Sequence, residues 1–411
     1  MTSLDLIIRN ARLSDRAGEP LDIGIATGRI AAIERDIAAD APAYDAQGCL
    51  ACPGLIETHI HLDKSRIIDR CAPQPRASLS PVKGVTPLKK DMTVEDVHAR
   101  AAATLEQCIL HGATRMRTQV EVDPAIGMRG FEAVQSLIAD YKWAIEIEIC
   151  VFPQEGLISF PGTDELLVEA LRRGAKVLGG APRYDTDEAG QIRRIFELAR
   201  EFDVDIDMHL DVGNTPDAMN IHLVRELTDT YKRGGRVVVG HMAKLSLLHP
   251  DQLTALARQM ADSGIAVTVL PATDLFLMGR DREHAVVRGV ADANVLCEHG
   301  VNCSLSSNNI LNPATPYGDC SLIRMANLYA NVLQVDAPSR LRDCFDMLTT
   351  RSARLMNLPD YGFAVGNPAD LVIIDARTPE QAVAEIARPL AAFKNGKQTV
   401  AWERPQLLKA Q

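Results

Sequence analysis

Leu55-Ile56-Glu57-Thr58-His59-Ile60-His61 is a short apolar run that stops on two histidines, and its reading decides the fold. The period of two along a strand sends both imidazoles to one side. Runs of the same kind recur near 114–123, 144–153, 175–183, 205–211, 236–241, 265–271 and 301–307. Each ends in residues able to do chemistry, among them Asp207-Met208-His209, Val239-Gly240-His241 and Ser306-Ser307-Asn308-Asn309. Between the runs lie stretches with apolar residues at helical spacing, such as Thr93 to His111, Arg129 to Tyr141, Asp164 to Arg173 and Glu188 to Phe202. Strand then helix, eight times over, predicts a closed (β/α)8 TIM-type barrel, whose active rim is the C-terminal end of the strands. A doubly wound open sheet is the rival, but no G-x-G-x-x-G follows the first strand.

Outside this middle the texture changes. Residues 4 to 50 alternate apolar and polar over short stretches broken by glycine, as do Ala369 to Asp375 and Phe393 to Val400 with an Asn395-Gly396 turn. The expected organisation is therefore a small β-sandwich domain built from both termini, residues 1–54 and 362–411, around a barrel of residues 55–361. A chain of 411 residues with 46% hydrophobic residues can bury both cores.

The formal net charge is −10 and the basic residues are scattered, the one short cluster being Lys83 with Lys89-Lys90. Neither nucleic acid nor a membrane surface is an expected partner, and small neutral or cationic molecules suit the charge better. No basic segment followed by a long apolar one opens the sequence, so a cytoplasmic protein is expected. The nine cysteines read as reduced, buried thiols, Cys49 and Cys52 of the one C-x-x-C included.

A lone His-x-His is weak evidence for a metal, since two strand histidines are more often structural. Here four of the ten histidines, His59, His61, His209 and His241, fall at strand C-termini of one barrel. That recurrence points to a metal site.

The chain resembles the amidohydrolase superfamily, and within it the cytosine deaminase group, which includes an enzyme that strips isopropylamine from an s-triazine. The resemblance is nearly full length. Its carriers are Pro53-Gly-Leu-Ile-Glu-Thr-His-Ile-His-Leu-Asp-Lys64, Arg115-Met-Arg-Thr-Gln-Val-Glu-Val-Asp123, Val151-Phe-Pro-Gln-Glu-Gly156, Asp205-Ile-Asp-Met-His-Leu-Asp211 and the stretch Asp360 to Ile373. The resemblance implies that His59, His61 and His209 hold one divalent metal ion, zinc or iron, and that His241 orients or polarises the attacking water. It also implies that Gln154 hydrogen-bonds the substrate, although a carboxamide there could equally cap a strand end.

The departures from the family pattern are as informative. The glutamate expected three residues after His209 is Val212, and the aspartate expected after the eighth strand is Asn308. Asparagine can lend its carbonyl oxygen to a metal but cannot act as a base at neutral pH. Gln119 stands where a histidine is common and Ala314 where an aromatic group is common, so both are read as facing the substrate. Asp211, two residues after His209, is the candidate replacement base, and Lys64 the candidate for stabilising a developing oxyanion. Asn309 is a candidate substrate contact; like Asp63, Lys64, Glu155 and Asp274, it also reads as an ordinary rim residue. Gly179-Gly180-Ala181-Pro182 offers no lysine for a carbamate bridge, which favours one metal over two. No H-x-E with a later P-C-x-x-C, no P-loop and no G-x-S-x-G occurs.

The reading that follows is a metal-dependent amidohydrolase, cleaving a C–N bond of a small polar or heterocyclic substrate by metal-activated water. The bond would belong to an amide, urea, carbamate or cyclic amidine. A second reading, prompted by Asn308 and Val212, is a catalytically altered barrel that serves as a small-molecule binding or regulatory protein. The persistence of all four histidines weighs against it. Assembly into a homo-oligomer is a further implication of the resemblance.

Overall fold

The computed structural model describes residues 3–408 apart from 74, 76, 77 and 79. It opens with five short strands, β1 (Leu6–Leu13), β2 (Leu21–Ala26), β3 (Arg29–Glu34), β4 (Ala43–Asp45) and β5 (Leu50–Pro53). One residue later β6 (Leu55–Ile60) begins a second sheet, continued by β7 (Ala113–Glu121), β8 (Glu146–Phe152), β9 (Val177–Gly180), β10 (Asp205–Leu210), β11 (Val237–His241), β12 (Ile265–Val269) and β13 (Cys303–Leu305). These eight pair in sequence order, each parallel to the next. Every residue of β6, β7, β9 and β11 is buried, as strands covered on both faces require.

The ring closes between its first and eighth strands at the C-terminal ends of the strands. Asn308 N donates to His59 O at 2.9 Å and His61 N donates to Asn308 O at 2.8 Å. Below this seam a line of buried hydroxyls joins the same strands. Thr58 Oγ1 lies 2.8 Å from Ser304 Oγ, which donates to Thr268 Oγ1, while Ser306 Oγ binds both the His59 amide and the Glu57 carboxylate. The (β/α)8 barrel is thus complete, with β13 shorter than the predicted 301–307 because Ser306 to Asn308 are spent on this seam.

Helices cover the outside where the apolar spacing predicted them. The first four are α1 (Val94–Leu110), α2 (Arg129–Tyr141), α3 (Thr163–Arg172) and α4 (Glu188–Glu201). Thr93 and Asp187 cap the starts of α1 and α4 by accepting from Asp96 N and Gly190 N. Next come α5 (Ile221–Thr230), α6 (Pro250–Asp262) and α7 (Pro271–Leu277), the last following β12 after one residue. Among the described residues no helix is long and apolar enough to cross a membrane.

The chain then returns to the terminal sheet with β14 (Leu371–Ile374), β15 (Pro389–Lys394) and β16 (Lys397–Ala401), in the order β16-β15-β14-β5-β1-β2-β3 with β4 on β1. Both termini build it, as expected. The connection is one continuous sheet rather than two separate ones, because β1 pairs with β5 and joins the halves. Ile8, Ile23 and Ile25 from one half share an apolar core with Leu371, Ile373 and Phe393 from the other.

Gly54 is the single residue between the two sheets, and a Cβ there would overlap the Thr114 side chain on β7. Gly54→Ala should therefore destabilise the protein by about 1–3 kcal/mol, the usual cost of forcing extra atoms into a packed core. Urea unfolding measures it; a midpoint equal to that of the native chain would contradict this account of the junction.

Candidate metal centre and cleft

The strand-end histidines converge. His59 and His61 project from the end of β6 on one side, and His209 from β10 meets them, with its Nε2 3.2 Å from His59 Nε2 and 3.0 Å from His61 Nε2. Nitrogens bound at about 2.0–2.1 Å to one zinc ion lie about 3.3 Å from one another, so this spacing fits three ligands of a single ion. All three rings are buried, and burial holds the pKa of His59 below the ordinary value and those of His61 and His209 well below it. Neutral imidazole is the state that a metal requires.

A layer beneath the rings orients them. Asp207, two residues before His209 and so on the same face of β10, places Oδ1 3.5 Å from His59 Nδ1. Its other oxygen accepts from Arg117 at 3.1 Å, and Arg117 also donates to Glu148 at 2.7 Å. Phe152 stacks on His209 with centroids 4.7 Å apart and planes at 21°.

His241 stands beside the trio, its ring centroid 5.6 Å from that of His209. Its Nδ1 lies 2.5 Å from Oδ1 of Asp274, a fully buried aspartate in α7. With the carboxylate as acceptor, Nδ1 carries the proton of that bond, and the other ring nitrogen, Nε2, is turned to Asn308. Asn308 approaches the same Nε2 with Nδ2 at 3.5 Å, while its carbonyl Oδ1 is buried with no protein partner. His241 and Asn308 both hold positive φ, 73° and 60°, a conformation that asparagine tolerates and histidine visits less readily. Backbone held this way at a strand end marks a site that the surrounding fold over-determines.

Above the histidines opens a narrow cleft whose floor is formed by His61, His209 and His241. Lys64 and Gln154 form one wall, with Lys64 Nζ 2.8 Å from Gln154 Oε1, and Arg183 and Asn309 line it too. Behind Lys64, three carboxylates from Glu121, Asp123 and Glu155 surround the buried ammonium of Lys89 at 3.0, 2.7 and 2.7 Å. This trio has the spacing of a second cation site, but Lys89 supplies the cation.

A model of the amidohydrolase family matches residues 76–400, which is most of the chain. The chain belongs to the amidohydrolase family. A curated relative is the N-isopropylammelide isopropyl amidohydrolase of Pseudomonas sp. (strain ADP), 28% identical over 404 residues and 96% of both chains. Among solved structures, the 5-methylcytosine deaminase of Klebsiella pneumoniae liganded with 5-fluorocytosine superposes with a TM-score of 0.93 at 29% identity, covering 98% of this chain and 99% of that one. The N-isopropylammelide isopropylaminohydrolase of Burkholderia multivorans gives 0.85 at 28% identity, covering 98% and 99%. The family match, with deaminases and amidohydrolases among its relatives, makes this a hydrolase acting on C–N bonds.

Within this amidohydrolase the expected site residues divide. His59, His61, His209, His241 and Asn308 meet at the centre, and Lys64, Gln154 and Asn309 line the cleft. Gln119 does not reach the substrate space. It is fully buried behind His59, with Nε2 3.3 Å from His59 Nδ1, and belongs to the orienting layer with Asp207. Asp211 is also elsewhere: its two oxygens accept from Asn220 N at 2.8 Å and Ile221 N at 3.0 Å, holding the start of α5. Its φ of 51° explains this, because β10 has ended at Leu210 and alternation no longer governs the side chain. Asp211→Asn should lower stability by about 1 kcal/mol as a weakened cap while the turnover of the folded enzyme stays within two-fold; a collapse of turnover in well-folded protein would restore Asp211 as the base.

Asp207 and the pairing of Asp274 with His241 are what the sequence reading did not single out. The signal for Asp207 was present, since the alternation that aligns His59 with His61 also aligns Asp207 with His209. The Asp274 pairing has no local signal, as its partner lies 33 residues away on a neighbouring strand.

Proposed function

We propose that this amidohydrolase cleaves an amide-, urea-, carbamate- or amidine-type C–N bond of a small ring compound, with one divalent ion, zinc or iron, held by His59, His61 and His209. The observation that carries this reading is the convergence of three neutral Nε2 atoms beside the His241–Asp274 pair at the floor of the cleft. Such an ion polarises water and the electrophilic carbon when bound. The unpartnered Asn308 Oδ1 is a neutral fourth donor for it.

The chain's own residues supply the proton transfers. His241 Nε2 takes the proton from water, and the buried Asp274 carboxylate stabilises the imidazolium that forms, by the same logic as a His–Asp pair in acyl transfer. Water's oxygen bonds to the carbon, the C–N bond breaks, and the proton returns from His241 to the departing nitrogen. One imidazole thus replaces both carboxylates whose places Val212 and Asn308 occupy. Lys64 and Gln154 line the cleft; Lys64 would stabilise charge developing on the carbon's oxygen, and Gln154 would hold the ring edge.

The test joins metal analysis to a product screen. Protein reconstituted with zinc or iron is assayed for ammonia or amine release from pyrimidines, triazines, hydantoins, ureas and carbamates. The expected result is about one ion per chain and release from at least one ring class. Absence of any affinity for zinc, iron, cobalt or manganese would favour the reading as a binding or regulatory barrel.

A further inference from the structure

The one basic cluster of the sequence, Lys83 with Lys89-Lys90, divides in the fold: Lys83 and Lys90 are exposed, while Lys89 is fully buried. Lys89 stands in a 3-10 turn, Thr86–Asp91, on the connection from β6 to α1, and Arg129 Nη2 donates to its carbonyl at 2.8 Å. Its ammonium is one of two shared by four carboxylates behind the cleft wall. Asp63, Glu121, Asp123 and Glu155 face Lys64 and Lys89, so the group is short of positive charge. A buried carboxylate without a cation is costly, so each of the four needs donors from elsewhere.

Three of them have such donors. Asp63 Oδ2 accepts from Glu121 N at 2.9 Å, and Asp123 Oδ1 accepts from Ala125 N at 2.7 Å and Ile126 N at 3.1 Å. Glu155 accepts from Thr86 Oγ1 at 2.7 Å, and its side chain is 19% exposed, so water reaches it. Glu121 is the exception, because no neutral donor among the described residues reaches its carboxylate. It has Lys89 Nζ at 3.0 Å and Lys64 Nζ at 3.8 Å. Lys64 is therefore the contested group. Its Nζ bonds Gln154 Oε1 at 2.8 Å on the cleft side, whereas Glu121 pairs in register with Phe152, two residues short of Gln154, and draws the ammonium away from the mouth.

We infer that Lys89 is a positioning residue: by neutralising Glu121 from the β6–α1 connection, it lets Lys64 hold Gln154 Oε1 and so aims the Gln154 amide N–H2 into the cleft. A lysine only donates, so the oxygen of Gln154 must face it, and the N–H2 is what remains for a ligand. Lys89 itself does not line the cleft, and its influence passes through Glu121 and Lys64. Without it, buried Glu121 keeps a single cation, and Lys64 closes the 3.8 Å gap and gives up its bond to Gln154. The consequence for turnover rests on the proposed function; the placement of Lys64 does not.

Lys89→Met and the double variant Lys89→Met with Glu121→Gln test this, since the double variant loses one cation and one carboxylate and keeps the charge of the group as it was. In crystals of Lys89→Met, Lys64 Nζ should lie within about 3 Å of the Glu121 carboxylate and beyond about 3.5 Å from Gln154 Oε1. In the double variant the bond from Lys64 to Gln154 should return. On whichever ring compound of the product screen is turned over, Lys89→Met should lower kcat/KM about ten- to a hundred-fold with the metal content unchanged, the worth of a charge-assisted hydrogen bond. The double variant should recover to within about three-fold of the native enzyme, as coupled neighbours do. A role confined to packing gives no such recovery, because Glu121→Gln restores no contact that Lys89 made. Should Lys89→Met fail to fold, the double variant carries the comparison. A bond from Lys64 to Gln154 that survives in Lys89→Met or is missing from the double variant would overturn the inference. So would a double variant no more active, or no more stable in urea, than Lys89→Met. The crystals need no turnover, so a barrel that releases no amine would sink the proposed reaction and leave this assignment to the position of Lys64.

Discussion

His209→Ala should yield a folded barrel that holds no tightly bound divalent ion and releases no measurable ammonia or amine. The variant keeps the β10 ladder, whose backbone pairs from Ile206 to Leu210 with β11 do not involve the imidazole. What it loses is the nitrogen that lies within 3.2 Å of both remaining ligands. Removing an outer partner of a metal ligand alone costs about 10–100-fold in affinity, and loss of the ligand itself should exceed that. Metal analysis after dialysis, beside circular dichroism and the amine-release assay, checks it. Stoichiometric metal with native turnover in the variant would remove the three-histidine centre as the working site.

Asp274→Asn is the second large effect. It should lower kcat by about 10²–10⁴-fold, the range over which a positioned base contributes, with metal content unchanged and KM within a few-fold. Asparagine is nearly isosteric and can still accept from Nδ1, so the loss isolates the negative charge that stabilises protonated His241. His241→Asn should fall as far, and the double variant no further than the worse single one, because the two act as a unit. Additive losses would separate their roles. Full activity in Asp274→Asn would mean that His241 does not move the proton, whatever its geometry.

The barrel was legible because its strands are buried on both faces and its helices carry a clean apolar stripe; α2 spans the predicted Arg129 to Tyr141. The histidine trio was legible for a related reason, since all three lie at the C-terminal ends of apolar runs. Legibility failed where a strand stopped. At Asp211 the backbone turns to positive φ, so counting by twos points the carboxylate to the wrong place. Gln119 failed differently: it does face the barrel interior, but one level below the rim and behind His59, a depth that alternation cannot report. The Asp274 carboxylate and the burial of Lys89 depend on contacts between separate loops, and those exist only once the rim is assembled.

The seam that closes the barrel also sets a clock. His61 is tied to Asn308 by the backbone bonds that join first strand to last, and the hydroxyls of Ser304 and Ser306 anchor the strand that carries His59. A chain emerging from the ribosome has made His59, His61 and His209 long before it has made residue 308. Until that last strand arrives, the two β6 ligands lack the partner that holds their register, and the three nitrogens have no fixed geometry to offer. The three-nitrogen geometry thus belongs to the closed ring and to no shorter piece of the chain.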